Sequence, residues 1–424
     1  MMVSVKFNLI SSVLLYCMLL CTSSVAEDRT AKALFDEVQD LVYQIRVIDV
    51  ASGDKYSIGS GFLVSDTGYI ATNFHVVSSF VYEPEKYRLE FVRHDGTVGP
   101  LRLLVTDVVH DLALVFSGDA SATFLPLASD RLAKGNRIYS MGNPNDLGMT
   151  IIEGTYNGLV ENSRYKKILF SGSLNPGMSG GPALNADGEV VGINVSKGGE
   201  QISFLVPVTH LQALLDENLA MPMERDHANE ITAALLFEQQ QFYQDLISNP
   251  TSKKPMGNLN VPGKLLEHLR CWGHTQDEED DKYEATHQHC RSEDYIYVSK
   301  DLYVGSFYYT FELISTKEMN RFQFYHLLEE RFAHRSFTNT QDKNQVTRFH
   351  CHDDVIEMNA TSWKISSCFR AYKQHEGLYD ASMTMVSLDY SDRAAVVNIG
   401  MTGVSSTNAL GIFQHIVGAV SWTH

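Results

Sequence analysis

From Glu27 to about Asp216, short runs rich in β-branched and aromatic residues alternate with turn-forming clusters, among them Gly59-Ser-Gly61, Asp66-Thr-Gly68, Asp95-Gly96, Asn143-Pro144 and Asp187-Gly188. Runs of this length between such breakers predict strands, and their spacing predicts a barrel or a sandwich. From Met221 to Asn249 the period changes. Ile231, Leu235, Phe242 and Leu246 recur at helical spacing and Asn249-Pro250 supplies a stop, so a helical linker is expected. Ser252 to Gly263, poor in apolar residues and broken by lysine and proline, predicts a flexible boundary. Beyond it the pattern reads as α+β. Strands are expected near Tyr295 to Ser299, Leu302 to Ile314, Thr347 to Met358, Ser362 to Tyr372, Met383 to Tyr390 and Ala395 to Met401, and helices near Glu318 to Phe332 and Thr407 to Val420. Met383 and Met385 alternate with Thr384 and Val386, which predicts strand core rather than a cofactor site. No internal repeat is visible.

The N-terminus reads as an address. Lys6 precedes an apolar stretch from about Leu9 to Cys21, and Ser24-Val25-Ala26 offers a small-x-small cleavage site. A signal peptide over 1–26 and export to the periplasm or the extracellular space are therefore expected. The stretch is shorter than the ~20 apolar residues that cross a bilayer, and no later segment is long enough, so no integral membrane segment is expected after cleavage. The 424 residues, 44% hydrophobic and 20% charged, suit a folded chain with more than one core. Lys plus Arg total 34 against 51 Asp plus Glu. The resulting formal charge of -17 repels phosphate backbones and argues against nucleic acid as a partner.

Three segments of the first region carry candidate chemistry: Thr72-Asn-Phe-His75-Val-Val77, His110-Asp111-Leu-Ala-Leu-Val115 and Asn175-Pro-Gly-Met-Ser179-Gly-Gly-Pro182. A serine hydroxyl needs a neutral imidazole to take its proton, and the imidazole needs a carboxylate to fix its tautomer. His75, Asp111 and Ser179 are candidates for these roles, with Asp107 competing for the carboxylate. Glycines around Ser179 allow the backbone N-H groups of Gly177 and Ser179 to turn inward as oxyanion donors.

These segments resemble those of chymotrypsin-fold serine proteases, and specifically of the HtrA (Deg) family. Gly59-Ser-Gly-Phe62, Gly142-Asn-Pro-Asn-Asp-Leu-Gly148-Met-Thr150, Gly192-Ile-Asn-Val-Ser196 and Ile202-Ser-Phe-Leu-Val-Pro207 strengthen the resemblance, which covers about residues 32 to 212. It implies an all-β double β-barrel protease domain over 27–216. A helical linker over 217–262 and an α+β accessory domain over 263–424 complete the expected organisation. The apolar run Leu112 to Val115 after Asp111 is similar to the family's and favours Asp111 over Asp107. The resemblance implies that Ser173, six positions before Ser179, lies near the base of the primary specificity pocket. It also implies one pocket wall from Ile193, Asn194 and Val195, a preference for small or medium aliphatic residues, and an oxyanion loop able to collapse into a latent form. No family-style PDZ domain is recognisable after the protease.

The last region holds Cys271, Cys290, Cys351 and Cys368. Export favours disulfides, and short spacing makes Cys271 with Cys290 and Cys351 with Cys368 the simplest of three pairings. Zinc held by these cysteines with His274, His287, His289, His350 and His352 is the rival, but no zinc spacing is present. The acidic run Asp277 to Asp281 reads as a solvated loop rather than a calcium site. Aromatics crowd Tyr283 to Phe311 at about two-residue intervals, the pattern of a sheet face. The sequence thus points to an exported serine endopeptidase acting on protein or peptide substrates, without cofactor or metal, in envelope protein quality control. A secreted degradative or virulence protease and an inactive protease fold used for binding are the alternatives.

Overall fold

The computed structural model describes residues 30–129, 132–218, 225–279, 281–333 and 343–423, so the expected signal peptide lies outside the described residues. Helix α1 (Ala31–Val38), capped by the Thr30 hydroxyl, leads into β1 (Val42–Asp49), β2 (Lys55–Leu63) and β3 (Tyr69–Thr72). Helix α2 (Phe74–Tyr82) follows, then β4 (Tyr87–Val92), β5 (Val98–Asp107) and β6 (Leu112–Phe116). These six strands close into an antiparallel barrel in the order β1-β2-β3-β6-β5-β4. A second closed barrel comprises β7 (Arg137–Gly142), β8 (Thr150–Leu159), β9 (Ile168–Ser171), β10 (Pro182–Leu184), β11 (Val190–Gly199) and β12 (Ile202–Pro207). Its order, β10-β11-β12-β9-β8-β7, is that of the first barrel read from the other end. The topology repeats where the sequence shows no repeat, because closure needs only inward and outward alternation and suitable turns, not the same side chains.

Ile45, Leu63, Phe91 and Val115 fill the first barrel, and Ile138, Phe170, Leu174 and Leu205 the second. A third cluster makes the seam between them. Phe62, Leu112 and Leu114 meet Tyr139, Met141 and Val206 there, with Leu34 of α1 and Leu211 of helix α3 (Val208–Asn218) joining the same core. Apolar burial of about 25 cal/mol per Å² makes such a seam costly to open, so the cleft above it has a fixed floor.

The rest of the chain is α+β. After helix α4 (His227–Ser248) come β13 (Lys253–Met256), β14 (Leu259–Pro262), β15 (Arg270–Gln276), β16 (Tyr283–Arg291), β17 (Ile296–Ser299), β18 (Leu302–Val304) and β19 (Phe307–Thr316). Helix α5 (Arg321–Ala333), β20 (His350–Met358), β21 (Thr361–Ala371), β22 (Tyr379–Ser387), β23 (Arg393–Val404), helix α6 (Ser406–Gly418) and β24 (Ser421–Trp422) complete it. Seven strands form one antiparallel sheet, β15-β16-β19-β23-β22-β21-β20. One face buries Phe307, Phe311, Met383, Met385 and Ile399 against α4 and α6, so the two methionines are strand core. The other face carries Phe324 and Leu328 of α5 over Val386 and Val396.

Two expectations are corrected here. Ser252 to Gly263 is not a flexible boundary: β13 pairs with β14 and β14 with β24, and the strands bury Met256, Leu259 and Val261. Three apolar side chains between turns are too few for periodicity to reveal. Helix α4 is present, but it is no free connector. Its N-terminal Ile231 and Leu235 enter an apolar cluster with Phe74 and Val108 of the first barrel, while Phe242 and Leu246 enter the core under the seven-stranded sheet.

Disulfides join Cys271 to Cys290 and Cys351 to Cys368, each linking directly opposed residues of β15 with β16 and of β20 with β21. The histidines beside them divide between the two edges of the sheet, His274, His287 and His289 at one and His350 and His352 at the other, and do not converge. Among the described residues no group of three or more His, Cys, Asp or Glu is arranged to hold a metal ion, and no helix is long and apolar enough to cross a membrane. In the acidic run, Lys317 Nζ lies 2.5 Å from Asp277 and donates to the Glu278 carbonyl at 3.0 Å. By chain entropy, loops with separations of 19 and 17 residues contribute about 3 kcal/mol per bond. Reduction is therefore expected to lower the melting temperature of the C-terminal sheet. Circular dichroism melts with and without reductant measure this, and an unchanged melt after confirmed reduction would overturn it.

Candidate active site

The two barrels meet where β3 ends and α2 begins, and α2 carries His75 in its first turn. The turn before β6 holds Asp111 at φ 58, a left-handed conformation that Asp and Asn tolerate better than other side chains. The buried Asn73 amide secures that turn by donating to the Asp111 carbonyl at 2.8 Å. Both Asp111 carboxylate oxygens then serve His75. Oδ1 accepts the His75 backbone N-H at 2.9 Å and Oδ2 lies 2.7 Å from Nδ1. This partner assigns the ring proton to Nδ1 and leaves Nε2 as an acceptor. Burial by itself pushes the His75 pKa down, but the charge and hydrogen bond of Asp111 outweigh it and set it above the ordinary 6.5.

Asp107 is turned to a different partner. Its Oδ2 lies 2.7 Å from His110 Nδ1, and its Oδ1 accepts the N-H groups of Val109 and His110, both at 3.1 Å. Burial would raise the Asp107 carboxyl, yet the His110 hydrogen bond and charge hold it below its usual range. His110 stacks on His210 with ring centroids 3.8 Å apart. Burial, aided by His110, pushes His210 down to about 4.

Ser179 sits in a loop whose shape depends on glycine. Gly177 has φ 95 and Gly180 φ 85; a Cβ on Gly180 would lie 2.2 Å from the Ser60 carbonyl oxygen, and one on Gly177 2.3 Å from that of Asn143. Met178 is fully buried beside them. The Ser60 hydroxyl donates to the Gly177 carbonyl and the Ser60 N-H to the Ser179 carbonyl, both at 2.7 Å. With those carbonyls tied to β2, the N-H groups of Gly177 and Ser179 have no partner among the described residues. The Ser179 hydroxyl donates to the Val195 carbonyl at 3.2 Å. That carbonyl is available because Val195 is the extra residue of a bulge, with Asn194 opposite Leu205 and Ser196 opposite Phe204. The structure therefore brings His75 and Asp111 into direct contact and leaves Ser179 bonded to β11 rather than to His75.

The residues assigned to the specificity pocket divide. Ser173 is half-buried, uncharged, and accepts at its carbonyl from the Asn175 amide at 3.4 Å. The side chains of Ile193 and Asn194, expected in one wall of that pocket with Val195, are both turned into the interior. Ile193 points into the seam between the barrels and is fully buried. Asn194 is also fully buried: its amide donates to the carbonyls of Met141 at 2.9 Å and Met178 at 3.2 Å, and its Oδ1 accepts from the Ser140 hydroxyl at 2.8 Å. It braces the Ser179 loop. Val195 borders a cavity beside His75, because the bulge interrupts the strand alternation that would place it on the same face as Ile193.

Sequence reasoning missed Asn73 and the tyrosines of the C-terminal region. Tyr297 lies 219 positions after Ser78, yet its hydroxyl is 3.1 Å from Ser78 Oγ and its ring meets that of His75 edge-on at 5.8 Å. The aromatic run is a sheet face at Phe307, Tyr309 and Phe311, but at Tyr295, Tyr297 and Tyr303 it borders the cleft. No local signal distinguishes the two halves of that run.

Two closed antiparallel barrels of six strands each define the chymotrypsin-like fold, and here His75 of α2 and the turns holding Asp111 and Ser179 lie between them. Residues 59–193 match the family described as the trypsin-like peptidase domain. Serine protease HTRA1 of Xenopus laevis is 34% identical over 170 residues, 38% of this chain and 36% of that protein. A probable periplasmic serine endoprotease DegP-like of Chlamydia pneumoniae is 32% identical over 170 residues, 38% of this chain and 34% of its own length. The putative serine protease HhoB of Synechocystis sp. is 32% identical over 183 residues, 40% of this chain and 42% of its own. The two barrels have the chymotrypsin-like fold, and their sequence is similar to that of HtrA and DegP-like serine proteases. The chain spans less than half the length of these relatives.

Proposed function

We propose that the protein is an exported serine endopeptidase that cleaves protein or peptide substrates through an acyl-enzyme. The observation that carries the proposal is the His75–Asp111 pair at the barrel junction, together with a Ser179 loop in which two N-H groups have no partner among the described residues. In the reaction the Ser179 hydroxyl leaves the Val195 carbonyl and gives its proton to His75 Nε2 as its oxygen attacks the scissile carbonyl. The Gly177 and Ser179 N-H groups stabilise the oxyanion, and Asp111 stabilises the imidazolium. His75 then returns the proton to the leaving amine, and water attacking by the same route frees Ser179. Only side-chain and backbone groups take part, and the uncharged Ser173 supports a preference for uncharged side chains in the primary pocket.

Residues 27–216 act as the protease unit and 263–424 as an accessory unit, with 217–262, whose helix α4 packs on both and whose β13 and β14 join the C-terminal core, connecting them. The likeness to a probable periplasmic DegP-like endoprotease supports a periplasmic setting, the two disulfides support an oxidising compartment, and protein quality control is the role this suggests. The Ser179 to Val195 hydrogen bond favours a second reading, a latent or inactive site used for binding. Modification of Ser179 by a fluorophosphonate, located by peptide mapping, tests the choice; an unreacted Ser179 in folded protein would leave only the second reading. Faster cleavage of unfolded than of native casein-like proteins is expected from the quality-control role, and equal rates would favour the degradative alternative.

The raised His75 pKa sets the pH dependence. Neutral imidazole is the base, so activity is lost as pH falls through a midpoint above the ordinary 6.5. Peptide hydrolysis rates from about pH 5 to 8 measure this. A flat profile would show that another base is used.

A further inference from the structure

We propose that the β17–β18 hairpin of the C-terminal region is a specificity element of the protease site, closing an apolar subsite for a large apolar side chain on the acyl side of the scissile bond. The proposal rests on the protease reading of His75, Asp111 and Ser179, and extends it to residues outside the barrels. The hairpin is amphipathic with a strand period. Ile296, Val298, Leu302 and Val304 point into the cluster that contains Phe74 and Val108, and this sends Tyr295, Tyr297 and Tyr303 to the opposite face. Those three rings touch one another edge-on, at 5.1 Å for Tyr295 with Tyr303 and 5.5 Å for Tyr297 with Tyr303. They form one side of a cavity of about 250 Å³ whose other side is Val109, Val195 and His210, with His75 at its border.

The hairpin is anchored to both barrels. Tyr297 is bonded to Ser78 of α2 in the first. Asp294, at the root of β17, accepts the Arg164 N-H at 2.6 Å and the Ser163 hydroxyl at 3.3 Å, both from the loop between β8 and β9 of the second. A wall tied across the cleft in this way holds its shape without substrate, which lowers the ordering cost of binding. The position of the subsite follows from the bulge. An extended peptide running along Val195 and Ser196 alternates its side chains, so if one enters the pocket over Ser173 the preceding one faces His75 and this cavity. Nearby charges are already engaged: Asp111 by His75, Asp107 by His110, and Lys167 by Asp294 at 3.5 Å. The lining that remains for a ligand is mostly ring and aliphatic surface, which suits leucine or phenylalanine and disfavours aspartate.

The test compares kcat/KM for peptides identical except at that position, with Leu, Ala or Asp, in the full chain and in Tyr303→Ala and Tyr303→Phe. The wild-type protein is expected to prefer Leu over Ala by about tenfold, the scale of an apolar pocket contact. Tyr303→Ala is expected to bring the Leu to Ala ratio close to one and Tyr303→Phe to keep it. A ratio is insensitive to how much of a variant folds, because both substrates are cleaved by the same folded fraction. A wild-type ratio near one, or a preference that survives Tyr303→Ala, would overturn the subsite while leaving the protease reading standing. No hydrolysis of any peptide together with no fluorophosphonate adduct on wild-type Ser179 would overturn the protease reading and the subsite with it.

Discussion

Ser179→Ala is expected to lower peptidase kcat by about 10⁵ to 10⁶-fold while leaving the fold intact. Alanine removes the nucleophile and nothing else of consequence. The side chain makes one hydrogen bond, to the Val195 carbonyl, whereas the loop is held by backbone groups at Gly177, Ser179 and Gly180 and by the Asn194 amide. None of these needs the hydroxyl. Turnover of a casein-like protein by the purified variant, alongside its melting curve, decides the matter. Activity within tenfold of wild type would remove Ser179 from the mechanism, and a collapsed melting temperature would show that the hydroxyl is structural.

Asp111→Asn is expected to cost about 10⁴-fold in kcat, and Asp107→Asn no more than about tenfold. The difference follows from which histidine each carboxylate holds. An amide at position 111 can present its N-H to His75 Nδ1, moving the ring proton to Nε2 and leaving no acceptor for the Ser179 hydroxyl. It also removes the charge that raises the His75 pKa, so the acid limb of the residual activity shifts to lower pH. At position 107 the same change disturbs only His110 and the turn at Val109. Rates of both variants across pH separate the roles. Equal losses in the two would mean that the carboxylates act together and that the pairing does not define the orienting group.

Much of the fold was legible because it depends on local pattern. Turn residues at regular intervals mark both barrels, the period of Ile231, Leu235, Phe242 and Leu246 marks α4, and the alternation around Met383 marks β22. The candidate triad was legible for a chemical reason, since His, Asp and Ser stand in glycine-rich or strand-flanking contexts that suit their roles. What was not legible depends on geometry that no short window carries. The bulge at Val195 breaks the two-residue alternation of β11, and no short window of sequence reveals it. Tyr297 reaches His75 only because α4 and the β17–β18 hairpin share a core with α2. Ser252 to Gly263 reads as a flexible boundary because its few apolar residues find their partners in β24, at the far end of the chain.

The placement of the disulfides bears on aggregation. An open sheet ends in two strands with unsatisfied N-H and C=O groups, which invite pairing with another molecule. Here β15 and β20 are those outermost strands, and each is covalently stapled to its inner neighbour. β20 also exposes His350, His352, Asp353 and Asp354, and β15 exposes Arg270 and His274. Fraying is restrained by the bond, and a flat, uncharged template is denied to any incoming strand by the charges. In the quality-control role proposed above, unfolded substrates would offer strands for such pairing, and the stapled, charged edges disfavour it.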